Sequence, residues 1–416
     1  MAAPATRATD KDLIADRLAE ARERTLTLVE PLDEAQLNRV YSELLSPLAW
    51  DLGHIANFEE LWLVQTVGGR EPLVGDMGRL YDAIENPRSG RNELPILRDR
   101  DLRAYMADVR ERTLEVLEAV ELDDTADPLL RNALVYEMLI AHEHQHNETM
   151  LQLLQMVDGY ERPSLGPDPR SSLLDREAAT LAKPEMVEIP RGSYEIGAAA
   201  SGFAYDNERD RHRVELASFA IDRHPVSNHA YCEFIADTGA EPPMYWRADG
   251  AGGWIDTRFG DEQPLGLDEV VVHVSFDDAS AFAGWAGKRL PSEFEWEVAA
   301  GGIDDSAPAN LDHLAWGTAP VGSLPRSGSD FGVVQMLGDV WEWTSSELSA
   351  YPGFEPFPYP DYSQVFFDRG YKVLRGGSWA TRRGPALRTS FRNWDLPIRR
   401  QIFAGFRCAQ AIEDGG

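Results

Sequence analysis

Residues 142–148 read His-Glu-His-Gln-His-Asn-Glu, inside a stretch with apolar residues at helical spacing that we expect to run from Asp127 to about Val157. His142 and His146 are four residues apart, so on a helix both imidazoles lie on one face, roughly 40° apart. Two imidazoles on one face can bind a single metal ion. The stretch therefore predicts a long helix that carries part of a metal site.

Three earlier stretches also have helical spacing. They run from Asp10 to Leu28, from Ser46-Pro47 through Trp62, and from Arg98 to Ala119. Ser46 is a favourable N-cap for the second, and proline is tolerated in the first turn. Four long amphipathic helices predict an all-α four-helix bundle, in which metal sites form between facing helices. His54, on the second helix, is expected to supply a third nitrogen.

The character of the chain changes after residue 157. We expect a helical bundle at 1–157, a Pro- and Ser-containing linker at 158–184, and a second domain at 185–416. The second domain has short strand-like runs, many Gly residues and most of the Trp residues, which predicts a loop-rich α+β fold. The chain is therefore expected to be multi-domain.

Composition limits the function. The chain has 416 residues and a formal net charge of −30, which argues against nucleic acid and anionic membrane surfaces as partners. It has two cysteines, no apolar run of membrane-spanning length and no signal-peptide pattern at its start. We expect a cytoplasmic protein, a monomer, whose partners are small-molecule substrates.

The C-terminal half resembles the formylglycine-generating-enzyme (sulfatase-modifying factor) domain, a variant of the C-type-lectin fold. The matching segments are IPRGSY at 189–194, PVSN at 225–228, VSFDDA at 274–279, KRLPSEFEWE at 288–297, LGDVWEW at 337–343, RGGSW at 375–379 and GFR at 405–407. No cysteine lies between Trp379 and Cys408, where the family's chemistry would require one. Formylglycine formation is therefore not expected.

The N-terminal half is similar to a DinB-type bundle, and His54, His142 and His146 match that superfamily's three-histidine metal site. A DinB-like domain joined to a formylglycine-enzyme-like domain is the architecture of the ergothioneine-biosynthesis sulfoxide synthases. This resemblance covers almost the whole chain. It implies an Fe(II)- and O2-dependent enzyme that joins a cysteine-type thiol to the imidazole carbon of hercynine (Nα-trimethylhistidine) and oxidises the sulfur to a sulfoxide.

The spacing of the histidines does not name the metal, because three neutral imidazoles suit zinc as well as Fe(II). The assignment of iron rests on the resemblance. His144 points away from the ligand face and is expected to pack or to face solvent. Gln145 borders the ligand face, and the resemblance places it near hercynine.

Tyr359 and Tyr362 lie in FPYPDY at 357–362. Composition alone favours a Pro-rich loop whose aromatic rings pack on the surface. The resemblance instead places the catalytic tyrosine at Tyr359, where it supplies a proton and directs the oxidation towards carbon–sulfur bond formation and away from thiol dioxygenation. A phenol with an ordinary pKa near 10 is protonated at neutral pH. Tyr362 matches a position that contacts hercynine.

Residues 392–400 form a second dense motif, which could be only a charged loop beside a core tryptophan. A quaternary trimethylammonium has no N–H to donate, so an aromatic face such as Trp394 is its natural partner. Asn393 can bind the carboxylate of hercynine. Asp395 and Arg399 can pair with the ammonium and carboxylate of an amino-acid-like thiol.

Arg88 and Arg91 lie between the second and third helices, where arginines are usually only solvated. In the resemblance they match an Arg pair of the members that use γ-glutamylcysteine, so we favour that thiol over free cysteine. Two rival functions remain. One is a zinc-dependent thiol transferase of the DinB-like kind, and the other is a non-catalytic binding protein built on the lectin-like domain.

Overall fold

The computed structural model describes residues 10–75, 77–122, 126–163, 174–181, 184–200, 202–303, 306–312 and 316–412. The chain divides into two compact units, unit 1 at residues 1–163 and unit 2 at residues 164–416. Among the described residues, no helix is long and apolar enough to cross a membrane.

Unit 1 is helical. Its α-helices are α1 (Asp10–Val29), α2 (Glu34–Asn38), α3 (Leu48–Glu59), α4 (Met77–Leu80), α5 (Asp99–Ala119) and α6 (Leu134–Leu154). The helix α3 continues as a π-helical segment at Glu60–Val67, and 3-10 turns lie at Arg88–Glu93 and Arg131–Ala133. The helix α1 packs on α6, and α3 packs on both α5 and α6. The expected four-helix bundle is confirmed.

Two local expectations in unit 1 were wrong. The helix α6 begins at Leu134 and not at Asp127, because Asn132 and Ala133 have left-handed backbone angles that interrupt the helical run. Ser46 does not cap α3. Pro47 is the N-cap residue and makes no side-chain cap, while the Ser46 hydroxyl accepts a hydrogen bond of 2.6 Å from the Arg91 guanidinium.

Unit 2 is the expected α+β domain of short elements. Its helices are α7 (Arg176–Leu181), α8 (Asn228–Thr238), α9 (Phe276–Trp285) and α10 (Glu293–Ala299). Its strands are β1 (Met186–Ile189), β2 (Gly192–Ile196), β3 (His212–Leu216), β4 (Phe219–Asp222), β5 (Trp246–Ala248), β6 (Trp254–Arg258), β7 (Asp261–Pro264), β8 (Trp341–Glu347), β9 (Lys372–Arg375), β10 (Asn393–Asp395), β11 (Ala404–Gly405) and β12 (Ala409–Ala411). They form sheets in the orders β1-β4-β12, β10-β9-β8-β11, β2-β3 and β5-β6-β7.

Several residues of the motifs that carry the resemblance are buried in the core of unit 2, among them Trp296, Glu342 and Arg407. The Trp296 indole and the Arg407 guanidinium both donate to the Glu342 carboxylate, each at 2.7 Å. Gly376 has φ +95°, and a Cβ there would lie 2.5 Å from the carbonyl oxygen of Met336. Glu342 and Arg407 need each other because a buried charge must be paired. Position 376 needs glycine because its backbone passes too close to Met336 for a side chain.

The stretch at 158–184, which we expected to be a linker, contains the division between the units at residues 163 and 164. Residues 164–173 and 182–183 of this stretch lie outside the described residues, and the described remainder includes α7. The domain limits at 157 and 185 stay a prediction.

Candidate active site

The three histidines singled out in the sequence meet in the interior of unit 1. One ligand atom from each of His54, His142 and His146 lies within 4.8 Å of the other two. His54 comes from α3, and the other two come from successive turns of α6. The spacing of four on α6 thus produces the shared face that the sequence predicted.

The distance between ring nitrogens fits a shared metal ion. Nε2 of His54 lies 3.2 Å from Nε2 of His142. Two nitrogens that are each about 2.1 Å from one ion, at angles of about 90° to 109°, are separated by about 3.0–3.4 Å. The pair can therefore occupy neighbouring positions around one ion with little movement of either ring.

The orientation of His54 is fixed by its surroundings. Its Nδ1 lies 2.7 Å from the carbonyl oxygen of Tyr81, so Nδ1 carries the proton and Nε2 is left with a lone pair. Gly53 allows this contact, because a Cβ at that position would lie 2.2 Å from the Tyr81 ring. The indole of Trp50 stacks on the imidazole of His54 with the ring centroids 4.8 Å apart.

The electrostatics keep the imidazoles of His54 and His142 neutral, the form in which histidine binds a metal. Burial, and then the proximity of His146, lower the pKa of both His54 and His142 well below the usual value. Nδ1 of His146 is buried without a hydrogen bond to any described residue, and the Asp51 carboxylate lies 3.7 Å from it. A metal ion would satisfy lone pairs that otherwise face one another, so the donor set fits a metal.

The donor set has three imidazole nitrogens and leaves further coordination positions for exogenous ligands, as a reaction centre requires. It suits zinc and Fe(II) alike. The geometry of the cluster therefore supports a metal centre, and the choice between the two metals depends on the family to which the chain belongs.

Two aromatic residues of α3 were missed in the sequence, although a signal was present. Trp50 and Phe58 lie four residues before and four residues after His54, so all three share one face of the helix. The ring of Phe58 stacks on the imidazole of His142, with the ring centroids 3.9 Å apart. Tyr81 had no comparable signal, because only the folded chain brings its carbonyl to His54.

His144 and Gln145 lie between His142 and His146 on α6, and their surroundings agree with their positions on the helix. His144 is buried and its Nε2 lies 3.6 Å from the Glu20 carboxylate, so it packs away from the cluster. Gln145 is half-buried one residue before His146. Its role at the substrate stays a prediction.

Arg88 and Arg91, which we expect to form a clamp for a carboxylate of γ-glutamylcysteine, differ in environment. Arg91 is buried, and it donates to Ser46 and to the carbonyl oxygens of Asn86 and Ala83. Its guanidinium also lies 3.6 Å from the centre of the Trp50 ring, and burial lowers its pKa to about 10. Arg88 is exposed and its guanidinium is 3.3 Å from the Leu44 carbonyl. Arg91 therefore supports the Trp50 ring that stacks on His54, while Arg88 is accessible to a ligand.

In unit 2 the predicted aromatic residues form one cluster. The Tyr359 and Tyr362 rings are 6.4 Å apart, and the Tyr362 and Trp394 rings are 5.6 Å apart. Tyr205, which the sequence gave no reason to select, stacks on Tyr362 at 4.0 Å. Tyr359 and Tyr362 are half-buried.

The other predicted residues of unit 2 are Asn393, Asp395 and Arg399. Asn393, Trp394 and Asp395 form β10, the edge strand that pairs with β9. The Asp395 carboxylate and the buried Arg399 guanidinium are 3.7 Å apart, so the two charges expected to bind an amino-acid zwitterion face each other.

The fold and the histidine cluster define a class of protein, a DinB-type metal bundle fused to a sulfatase-modifying-factor-type domain. Residues 17–150 match the family model of the DinB superfamily, and residues 171–412 match that of the sulfatase-modifying factor enzyme 1-like domain. The chain is 44% identical to the hercynine oxygenase of Mycolicibacterium smegmatis over 442 residues, which covers 96% of this chain and 99% of that protein. It is 41% identical to the hercynine oxygenase of Mycobacterium tuberculosis, covering 97% of this chain and 100% of that protein.

A more distant relative is the ergothioneine biosynthesis protein 1 of Schizosaccharomyces pombe, 34% identical over 202 residues, which covers 46% of this chain and 26% of that protein. The chain belongs to the hercynine oxygenase family. The resemblance to sulfoxide synthases of ergothioneine biosynthesis is thereby confirmed at the level of the family.

Proposed function

We propose that this protein joins hercynine to γ-glutamylcysteine, with Fe(II) and O2, to give γ-glutamyl-hercynylcysteine sulfoxide. The observation that carries the proposal is the cluster of His54, His142 and His146 in a chain that aligns from end to end with hercynine oxygenases. The same reaction with free cysteine is the alternative within the family.

The proposed reaction balances without an added reductant. The thiol S–H and the imidazole C–H bonds break, and a C–S bond and an S–O bond form. The four electrons removed from the two substrates reduce O2. One oxygen atom stays on the sulfur, and the other leaves as water with the two hydrogens. Dioxygenation of the thiol alone would instead place both oxygen atoms on sulfur as a sulfinic acid.

The three imidazoles would hold the iron. When bound, the iron would activate O2 and the thiol sulfur together. Imidazole ligands would bring no negative charge to a divalent ion, so the site would favour an anionic thiolate as the bound form of the thiol. The hydrogen bond from His54 to the Tyr81 carbonyl keeps the ligating nitrogen oriented.

We assign the remaining roles to residues of unit 2 and to Gln145 and Arg88 of unit 1. Tyr359 is the proton donor that directs the oxidation towards the C–S bond, and Tyr362 contacts hercynine. Trp394 offers its face to the trimethylammonium, which has no N–H for a hydrogen bond. Asn393, whose Oδ1 accepts the Trp394 N–H at 2.9 Å, has its amide NH2 to donate to the carboxylate of hercynine. Gln145 is proposed to border the same substrate.

The experiment that tests this function is anaerobic reconstitution with Fe(II), followed by measurement of O2 consumption. We expect O2 uptake to require both hercynine and γ-glutamylcysteine, and the coupled sulfoxide to appear in the mass spectrum. Zinc-loaded protein is the matched control and should give no product. Full thiol transfer by the zinc form without O2 would contradict the proposal and favour the DinB-like transferase.

A substitution at the accessible Arg88 tests the preference for γ-glutamylcysteine over free cysteine. Arg88→Ala should raise KM for γ-glutamylcysteine at least about tenfold and leave KM for hercynine unchanged, because one charge-assisted hydrogen bond is worth about 1.5–3 kcal/mol. Steady-state kinetics with each substrate varied in turn provide the measurement. Arg91→Ala is less informative, since Arg91 also supports Trp50. An unchanged KM for γ-glutamylcysteine would remove Arg88 from the proposed clamp.

A further inference from the structure

We propose that Asp206 is a positioning residue, which holds the segment at residues 357–363 so that Tyr359 meets the reacting groups in one geometry. This inference rests on the proposed function of Tyr359. Asp206 lies outside the sequence motifs shared with the sulfatase-modifying-factor domain, and it is not one of the predicted site residues.

The carboxylate of Asp206 bridges the two ends of this segment. Its Oδ2 accepts the backbone N–H of Phe357 at 3.3 Å, and its Oδ1 accepts the hydroxyl of Ser363 at 2.7 Å. Asp206 is 5% exposed and Ser363 is fully buried. A single buried group thus ties down the residue two before Tyr359 and the residue that follows Tyr362.

Asp206 itself is anchored to the core of unit 2. It opens the 3-10 turn Asp206–Glu208. At the far end of the turn, the Glu208 carboxylate accepts the hydroxyl of Ser390 at 2.8 Å and forms an ion pair with Arg388. The carbonyl of Asn207 accepts a hydrogen bond of 2.8 Å from Arg392. The turn is therefore a rigid support, and the segment at 357–363 is the part that it holds.

Aromatic contacts also connect the turn at Asp206 to the two tyrosines of the segment. Tyr205, directly before Asp206, is 4% exposed, and its ring stacks on Tyr362 with an angle of 12° between the planes. Tyr362 in turn contacts both Tyr359 and Trp394. Loss of the Asp206 bridge should therefore displace Tyr362 and Tyr359 together.

The chemistry of the bridge defines a matched pair of variants. Burial raises the pKa of Asp206 to about 6, while the hydrogen bonds from Ser363 and from the Phe357 N–H oppose this rise. Both contacts are hydrogen bonds to the carboxylate oxygens, so a neutral amide of the same shape can replace them. The amide of Asp206→Asn can accept from the Phe357 N–H and donate to the Ser363 hydroxyl oxygen, which keeps both contacts. Asp206→Ala removes both, and Ser363→Ala removes only one.

The readout is the partition of products between the coupled sulfoxide and the sulfinic acid of γ-glutamylcysteine. Asp206→Ala should shift this ratio at least about tenfold towards the sulfinic acid, approaching Tyr359→Phe, as expected when buried hydrogen bonds that fix a reacting group are lost. Asp206→Asn should retain the wild-type ratio, and Ser363→Ala should lie between. Glu355→Ala, an exposed carboxylate in the same loop, is the control and should not change the ratio.

Hydrogen–deuterium exchange of residues 357–363 gives a second readout that is independent of catalysis. Exchange there should accelerate in Asp206→Ala and Ser363→Ala, and not in Asp206→Asn. A wild-type product ratio together with wild-type exchange in Asp206→Ala would overturn the proposal. If Asp206→Ala does not fold, the same two results in Ser363→Ala would overturn it.

Failure of the proposed function would be recognised separately. In that case the wild-type enzyme would form no coupled product, or Tyr359→Phe would keep the wild-type ratio. The exchange measurement would then still decide whether Asp206 holds the segment.

Discussion

Replacing His142 by alanine should abolish metal binding at the cluster and, with it, formation of the coupled product. Loss of a group that only supports a ligand costs about 10–100-fold in metal affinity, so loss of a ligand itself should cost at least about 100-fold. Alanine preserves α6, because it has the highest helix propensity. The measurements are iron per chain after anaerobic reconstitution and gel filtration, and the rate of sulfoxide formation.

The matched control for this variant is His144→Ala, which removes an imidazole from the same helix two residues away. His144 packs towards Glu20 and is not part of the histidine cluster. It should therefore retain iron and product formation, while circular dichroism shows equal helix content in both variants. Full iron occupancy in His142→Ala would show that the cluster is not the metal site.

Glu59→Gln should destabilise the bundle by about 3–5 kcal/mol, the usual cost of breaking a buried ion pair. The Glu59 carboxylate accepts hydrogen bonds from Arg110 at 2.7 Å and from Arg22 at 2.8 Å. Arg22 also donates to Glu143, directly beside His142 of the histidine cluster, at 2.8 Å. One charged residue from each of α1, α3, α5 and α6 thus meets in a buried network beside the histidine cluster. The glutamine would leave one buried positive charge of this network without its counter-charge.

The effect of Glu59→Gln should depend on pH in a defined direction. Burial by itself would raise the pKa of Glu59, but the guanidinium groups of Arg110 and Arg22 outweigh it and hold the pKa at about 2, below the ordinary 4.5. A lowered folded-state pKa stabilises the fold above pH 4.5 and loses that contribution as the pH falls towards 2. The difference in the free energy of unfolding between the wild type and Glu59→Gln should therefore become smaller below pH 4.5.

Chemical denaturation at several pH values measures this difference in the free energy of unfolding. The control is Glu115→Gln, which removes an exposed partner of Arg70. It should change stability by no more than about 1 kcal/mol, because surface ion pairs contribute little. Equal effects of the two substitutions would show that the network around Glu59 contributes no more than a surface pair.

Several features of the fold could be predicted because their signals are local. Helical spacing predicted α1 and α5 to within one or two residues, and the interval between His142 and His146 predicted their common face. The start of α6 could not be predicted, because the left-handed angles of Asn132 and Ala133 have no mark in the hydrophobic pattern. Ser46 was misread as a cap because its true partner, Arg91, lies 45 residues away.

The sequence by itself determined the two domain types and the family through their characteristic motifs, and it selected the three histidines that cluster in the fold. These depend on residue identity, on the spacing along one helix and on short motifs. Only the tertiary structure decided what holds those residues in place. Tyr81 orients His54 from 27 residues away, and Asp206 reaches Phe357 across 151 residues. Such contacts leave no trace in the spacing of nearby residues, because each joins two positions that are far apart in the sequence. They form only when the packed core brings the distant backbone and side chains together.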